Sequence, residues 1–285
     1  MTEQIPTVRS ELDRAAFDYY DNKRQDPLNL DLGEIDGLYH HHFAVGDFDR
    51  SILQLAEPDR SSAVNTAMHR METAQVDLIT SAFGHADTTS RVLDAGCGRG
   101  GTSFLLHRRF GCRIEGVNIS PYQIDFCRKQ ACRHHVEDRV AFHERNMGDT
   151  GFEDASFTHV VSNETTMYVD PFTVFAEFAR ILIPGGTYVL MSWCGNDVLA
   201  PTSAEAETID AHYHCQTHQR STYLRALLHA GLIPHQVDDL TTEAIPYWEL
   251  RSASPLASGI ESAYLEGYRT NRVNYIRIAA RKAAS

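Results

Sequence analysis

At 285 residues with a formal net charge of −12, the chain is long enough for one large core with elaborations, and it lacks the Lys and Arg surplus that a nucleic-acid surface needs. Six cysteines at 97, 112, 127, 132, 194 and 215 form neither C-x-x-C pairs nor a dense framework, which disfavours zinc and disulfide scaffolds and points to reduced, cytoplasmic thiols. Met1–Ser10 has no basic-then-apolar leader pattern, and the most apolar run, Ile181–Cys194, is broken by Pro184-Gly185-Gly186, so a soluble, unanchored protein is expected.

Residues 1–85 read as an N-terminal helical cap. Within it, Leu30 to Gly46 reads Leu-Asp-Leu-Gly-Glu-Ile-Asp-Gly-Leu-Tyr-His-His-His-Phe-Ala-Val-Gly. Val64, Met68, Met71, Leu78 and Ile79 then recur at helical spacing from a Ser61-Ser62 start, with Glu72 and Gln75 on the same helix. From residue 86 onward, short β-branched runs alternate with helical patterns, the signature of a mostly parallel sheet covered by helices on both faces. The predicted strands are Arg91–Ala95, Arg113–Ile119, Val140–Asn146, His159–Asn163, Tyr188–Trp193, Pro234–Asp239 and Val273–Ala279. Ser120, Pro121 and Gln123 spell a capping box for the helix after the second strand, and Asp170-Pro171 opens another helix, separated from the fifth strand by Pro184-Gly185-Gly186. A helical insert is expected near 196–222, where Thr202 to Cys215 carries His212, Tyr213 and His214. The expected fold is α/β and Rossmann-like, with cap and insert closing over one pocket at the carboxyl ends of the strands.

The first strand ends in Arg-Val-Leu-Asp-Ala-Gly-Cys-Gly-Arg-Gly-Gly, residues 91–101, and a helix opens at Thr102. Glycines there let the backbone turn sharply and approach a ligand closely, and the helix N-terminus offers free N–H groups. A G-x-G after a strand also occurs in dinucleotide sites and in plain turns. Gly96-x-Gly98-x-Gly100-Gly101 lacks the G-x-G-x-x-G register, however, and Asn118 stands where a ribose-binding acid would be expected. Asp94, two residues before the first glycine, suits the ammonium of a zwitterion. Together these features resemble the class I S-adenosylmethionine (SAM)-dependent methyltransferases. On that resemblance the cofactor-binding set is Asp94, Gly96, Gly98, Asn118, Gln123, Asn146, Met147 and His41; Gln123 and Met147 read equally as core filler.

Strand four ends in Ser162-Asn163-Glu164-Thr165-Thr166-Met167-Tyr168, where an open sheet presents side chains to its ligand crevice. A partly desolvated acid there is suited to accept a proton near neutral pH, and the bland alternative is an acid at a helix N-terminus. Three consecutive histidines cannot all face one point, so His40, His41 and His42 read better as donors to an anion or a cofactor carboxylate than as a metal site. Tyr39 is either a ring for a cation or a core aromatic. Trp193, His212 and Tyr213 are candidate substrate-wall residues, Trp248 reads equally as wall or core, and the remaining histidines read as surface residues.

Four segments carry a closer resemblance: Pro27 to Phe43, Leu93 to Ser103, Asn163 to Asp170, and Leu240-Thr-Thr-Glu-Ala-Ile-Pro-Tyr-Trp-Glu-Leu-Arg251. They resemble the bacterial prenyl diphosphate C-methyltransferases, nearest the geranyl diphosphate 2-C-methyltransferase type. The resemblance implies SAM-dependent methylation of an alkene carbon with the diphosphate intact and held with Mg²⁺. It implies Glu164 as the base, Tyr39 and Tyr213 as cation stabilisers, His40, His42, Trp193 and His212 toward the substrate, and Asn29 and Glu72 toward the metal through water. Thr202-Ser-Ala-Glu-Ala206 has only small or polar residues where some members carry an aromatic wall. Isopentenyl, geranyl and farnesyl diphosphate therefore all remain open, as does the carbon methylated. An O- or N-methyltransferase of a small natural product and a non-catalytic SAM-binding module are the competing readings, and a homo-oligomer is left open.

Overall fold

The computed structural model describes residues 7–24, 26–199 and 202–284. Most of the Met1–Ser10 stretch and residues 200–201 of the insert lie outside them. The cap comprises α1 (Glu11–Asn22), α2 (Pro27–Gly33), a 3₁₀ turn (Arg50–Gln54) and α3 (Asp59–Ala82). The alternating region follows as β1 (Arg91–Ala95), α4 (Gly101–Phe110), β2 (Arg113–Asn118), α5 (Pro121–His134), β3 (Val140–Glu144) and β4 (Phe157–Asn163). A 3₁₀ turn (Thr166–Tyr168) then leads to α6 (Pro171–Ile181), β5 (Leu182–Gly195), α7 (Ala204–Tyr213), α8 (Arg220–His229) and β6 (Leu232–Asp239). Last come α9 (Thr241–Ser252), α10 (Glu261–Arg269) and β7 (Val273–Lys282).

The seven strands form one sheet in the order β3-β2-β1-β4-β5-β7-β6, parallel except for β7, which runs antiparallel to both its neighbours. The order reverses between β1 and β4, and there the carboxyl ends of the strands open a crevice. Alternation along the strands divides the apolar residues between two faces. Leu93, Val160 and Tyr188 pack on one side against Phe175 and Phe178 of α6, at ring separations of 5.3 and 5.1 Å from Tyr188. Truncating one of these buried rings to Ala costs about 3–5 kcal/mol.

On the other face, Val92, Ile114, Val161 and Met191 share one cluster with Leu28, Leu32, Val64, Met68, Met71 and Ile79, so the cap is built into the core of the sheet. Helix α3 starts two residues before its expected Ser61-Ser62 onset, with Asp59 in its first turn. The Pro184-Gly185-Gly186 break lies inside β5 as an outward bulge: Phe157 pairs with Leu182 and His159 with Thr187, so β5 takes up the extra residues while staying in the sheet. Trp248 is core, fully buried and stacked on Tyr264 at 3.8 Å. Several histidines expected at the surface are buried, among them His69, His159 and His218, each with a hydrogen-bond partner that makes burial tolerable.

Candidate active site

Two cavities meet at the crevice. The larger, of about 800 Å³, is walled by Asp94 of β1, Gly96 and Gly98 of the turn that follows, Asn118 at the end of β2, Gln123 of α5, Asn146 and Met147 after β3, and His41 of the cap. Every residue expected to bind the cofactor therefore faces one space. Gly96 has φ +78°, and a Cβ there would meet the Thr165 side chain at 2.5 Å; at Gly98 (φ +53°) it would meet His41 at 3.2 Å. Side chains at these positions would fill the floor, so the glycines keep it open. Asp94 accepts from Ser103 Oγ at 2.6 Å, and burial pushes its carboxyl up to about 6.

A polar row crosses from this cavity to the cap. Asn118 Nδ2 donates to Gln123 Oε1 at 2.7 Å, Gln123 Nε2 meets His41 Nδ1 at 3.2 Å, and His41 Nε2 stands 3.6 Å from Asp26 Oδ2. The capping box expected for α5 is thereby only half made. Ser120 Oγ takes the Gln123 N–H at 3.3 Å, while the Gln123 side chain turns away from the helix end into this row. Asn146 is tied to Asp13 of α1 at 3.0 Å, so the first cap helix closes this side of the cavity.

The smaller cavity, of about 480 Å³, is assembled from the cap and from distant elements: Tyr19 and Asn29 from the first two helices, Lys23 and Asp26 at their facing ends, Phe43 after them, then Trp193, Tyr213 and Arg251. Tyr20, His41, His42, Glu164 and Tyr168 belong to the walls of both spaces. Burial drives His42 down to about 4, so this ring is neutral; its Nδ1 donates to the Phe43 carbonyl at 2.8 Å and its Nε2 has no partner. Lys23 lies 4.6 Å above the Tyr19 ring, and Arg251 is braced by Glu261 at 3.2 Å. Two cations, an amide and an aromatic lining make this space suited to a ligand with an anionic head and a hydrocarbon tail.

Glu164 stands where the cavities join. Its backbone is left-handed (φ +54°), a conformation that costs a non-glycine residue about 1–3 kcal/mol and that turns its carboxylate into the crevice. Oε2 accepts the Phe43 N–H at 3.0 Å, and Oε1 accepts a very short hydrogen bond from the Tyr275 hydroxyl. Burial outweighs both donors and pushes the carboxyl up to about 8, with Glu72 adding to the rise and Arg251 opposing it.

Several expected positions are corrected. Tyr39 walls only the larger cavity; its hydroxyl donates to Glu34 at 2.6 Å and its ring meets Phe126 edge-on at 4.8 Å, so it stands apart from the aromatic space beside Glu164. His40 faces neither cavity. Neighbouring side chains leave the chain in different directions, and its ring packs near His42 and His69 at 4.9 and 5.3 Å with Nε2 on Thr73. His212 lines neither space for the same reason: Tyr213 faces inward and His212 lies edge-on to it at 4.6 Å. Glu72 is sealed behind Tyr247, whose hydroxyl donates to it at 2.6 Å, and burial pushes it up to about 7. Asn29 does line the smaller cavity and donates to Asp26 at 2.9 Å.

The sequence reading missed Asp26, Lys23, Tyr20 and Tyr275, and did not single out Arg251. Asp26 had a signal, as the N-cap immediately before Pro27, and Arg251 closes a segment already noted. Tyr275 gave none, being one apolar position in a strand.

A fold of this topology with a glycine-floored cavity at β1 and β2 defines a class I SAM-dependent methyltransferase, and a family model for a methyltransferase domain matches residues 93–190. Across its length the chain is 45% identical to a geranyl diphosphate 2-C-methyltransferase from Saccharopolyspora erythraea, covering 92% of each protein. It is 40% identical to one from Streptomyces coelicolor, covering 98% of this chain and 96% of that one. The chain belongs to the geranyl diphosphate 2-C-methyltransferase family. A crystal structure of the geranyl diphosphate C-methyltransferase of Streptomyces coelicolor with Mg²⁺, geranyl-S-thiolodiphosphate and S-adenosylhomocysteine superimposes with a TM-score of 0.94, over 98% of this chain and all of that one. Among the described residues, no helix is long and apolar enough to cross a membrane.

Proposed function

We propose that this chain is a cytoplasmic enzyme that methylates carbon 2 of geranyl diphosphate, with SAM in the larger cavity, the diphosphate in the smaller one and Glu164 as the base. The observation that carries the reading is Glu164 itself, a buried carboxyl in the wall common to both spaces. When bound, SAM supplies an electrophilic methyl and Mg²⁺ neutralises the diphosphate. Asp94, Asn118 and Gln123 suit the polar ends of the nucleoside and amino acid, and Lys23 and Arg251 suit the phosphates. Among the described residues, no group of three or more His, Cys, Asp or Glu side chains is arranged to hold a metal. Asp26 and Asn29 therefore offer only one edge of a Mg²⁺ site, consistent with an ion that keeps waters and leans on substrate phosphates.

Phe43, Trp193 and Tyr213 flank the hydrocarbon, and their ring faces stabilise the tertiary cation left when the alkene pair takes up the methyl. Glu164 then removes the proton from the methylated carbon, and the C–H pair re-forms the double bond. A carboxyl near 8 in the empty site is mostly protonated at neutral pH, so charge on the bound sulfonium favours the ionised form that works as base. Full-length identity to C-methyltransferases supports this over an O- or N-methyltransferase or a non-catalytic module. The test is Glu164→Gln: calorimetry should find SAM binding intact while product from geranyl diphosphate disappears, and wild-type turnover would exclude Glu164 as base.

A further inference from the structure

Gln75 sits on the buried face of α3, among Met68, Met71, Glu72, Val76 and Ile79. It lines neither cavity. Its amide pairs reciprocally with that of Asn163 at the tip of β4: Gln75 Nε2 donates to Asn163 Oδ1 at 2.8 Å, and Asn163 Nδ2 donates to Gln75 Oε1 at 3.0 Å. Each nitrogen has a second hydrogen. That of Gln75 goes to the Tyr275 phenolic oxygen at 3.0 Å, and that of Asn163 to Thr102 Oγ1 at 3.2 Å, in the wall of the larger cavity.

This arrangement has a direction. A tyrosine hydroxyl carries one hydrogen, and Gln75 Nε2, a donor only, cannot receive it. The Tyr275 hydrogen is left with Glu164 Oε1 as its acceptor. On the other oxygen, Oε2, the Phe43 N–H occupies one lone pair and leaves the second free.

We propose that Gln75 and Tyr275 are positioning residues for Glu164: the Asn163–Gln75 amide pair orients the Tyr275 hydroxyl, which holds Oε1 as an acceptor and directs the substrate proton to Oε2. This rests on Glu164 being the base. The C–H bond of the methylated carbon breaks, its electron pair becomes the double bond, and the proton forms the Oε2–H bond. Without the amide pair the hydroxyl is free to turn its hydrogen away, and Oε1 can hold a proton facing Tyr275 and away from the substrate.

The other groups around the carboxyl do not supply this orientation. Glu72 from α3 raises it and Arg251 from α9 lowers it, both acting by charge. Tyr20, Tyr213, Tyr264 and Tyr268, from α1, α7 and α10, are held neutral by burial. So are Tyr168, after β4, and His42 of the cap.

The test is the pH dependence of kcat/KM and of kcat for geranyl diphosphate in the full-length enzyme with SAM and Mg²⁺, for Gln75→Leu, Tyr275→Phe and the double variant. Both single variants should lose about tenfold in kcat, keep KM within about threefold, and move the acid limb upward by about one pH unit, because a donor to the ionised carboxyl is lost or misdirected. The double variant should match Tyr275→Phe alone, since one relay is broken only once. Reduced kcat with an unmoved acid limb, or additive losses in the double variant, overturns the proposal. Tyr275→Phe keeps the ring packing, so it decides the outcome by itself should Gln75→Leu fail to fold. Glu164→Gln separates the two claims: its wild-type turnover would overturn the base, whereas an inactive Glu164→Gln beside unmoved acid limbs overturns the relay alone.

Discussion

The two cavities are built on different principles. The larger has its floor in turns at the ends of β1, β2 and β3, each a local event in the chain where a strand ends, a glycine or polar residue follows and, after β1 and β2, a helix begins, while α1 and the Tyr39–His42 stretch of the cap close over it. The smaller draws its walls from α1, α2, the Tyr39–Phe43 segment, β5, α7 and α9, which only the finished fold brings together. On the proposed assignment, the cofactor would be met chiefly by backbone geometry and the substrate by side chains gathered from afar. Glu164 and its few neighbours in the common wall are where the two principles touch.

That contrast is open to experiment. The largest effect is expected at the common wall, where Glu164→Gln should lower kcat by about 10³-fold or more while SAM affinity, measured by calorimetry, stays within about threefold. Arg251→Gln should strike only the smaller cavity. It should weaken kcat/KM for the diphosphate by about 100-fold and leave SAM affinity unchanged, because a buried cation facing phosphate is worth about 2–5 kcal/mol. Asp94→Asn should do the reverse, weakening SAM by about tenfold with geranyl diphosphate affinity intact; equal losses for both ligands would erase the distinction.

The smallest effect is on stability. The folded-state values of Glu164 (about 8), Glu72 (about 7) and Asp94 (about 6) all lie above ordinary carboxyl values. Between the unfolded and folded values the native state binds more protons. The stability these groups contribute is complete below about pH 4, then lost as pH rises through 6, 7 and 8. Thermal melts without ligand should show the melting temperature falling from pH 5 to pH 8.5, with a shallower fall in Glu164→Gln.

The same contrast explains what the sequence revealed. All seven strands and the turn residues lining the larger cavity were legible because strand alternation, capping residues and glycine register are written over ten residues or fewer. Glu164 was legible because a strand tip fixes its address. Tyr39 and Tyr213 looked alike as aromatic residues in pocket-closing segments, yet only Tyr213 reaches the smaller cavity; Tyr39 is held between Phe126 of α5 and Glu34 at the end of α2. His40 packs beside His42, their rings 4.9 Å apart, yet only His42 reaches the cavities, and His41 between them turns toward Gln123. In that irregular stretch no period of 2 or 3.6 says which side chain turns inward. Gln75 did carry a signal, as a polar residue on the buried face of α3, which it shares with His69 and Glu72.

The position of β7 has a consequence for biosynthesis. It follows every other described element in sequence but lies between β5 and β6, and it carries the Tyr275 hydroxyl that grips Glu164. A chain emerging from the ribosome completes the turns of the larger cavity long before this strand arrives. For that interval Glu164, at the tip of β4, lacks its Tyr275 partner. Because β6 joins the sheet through β7, the arrival of this one strand both completes the sheet and places the Tyr275 hydroxyl on Glu164.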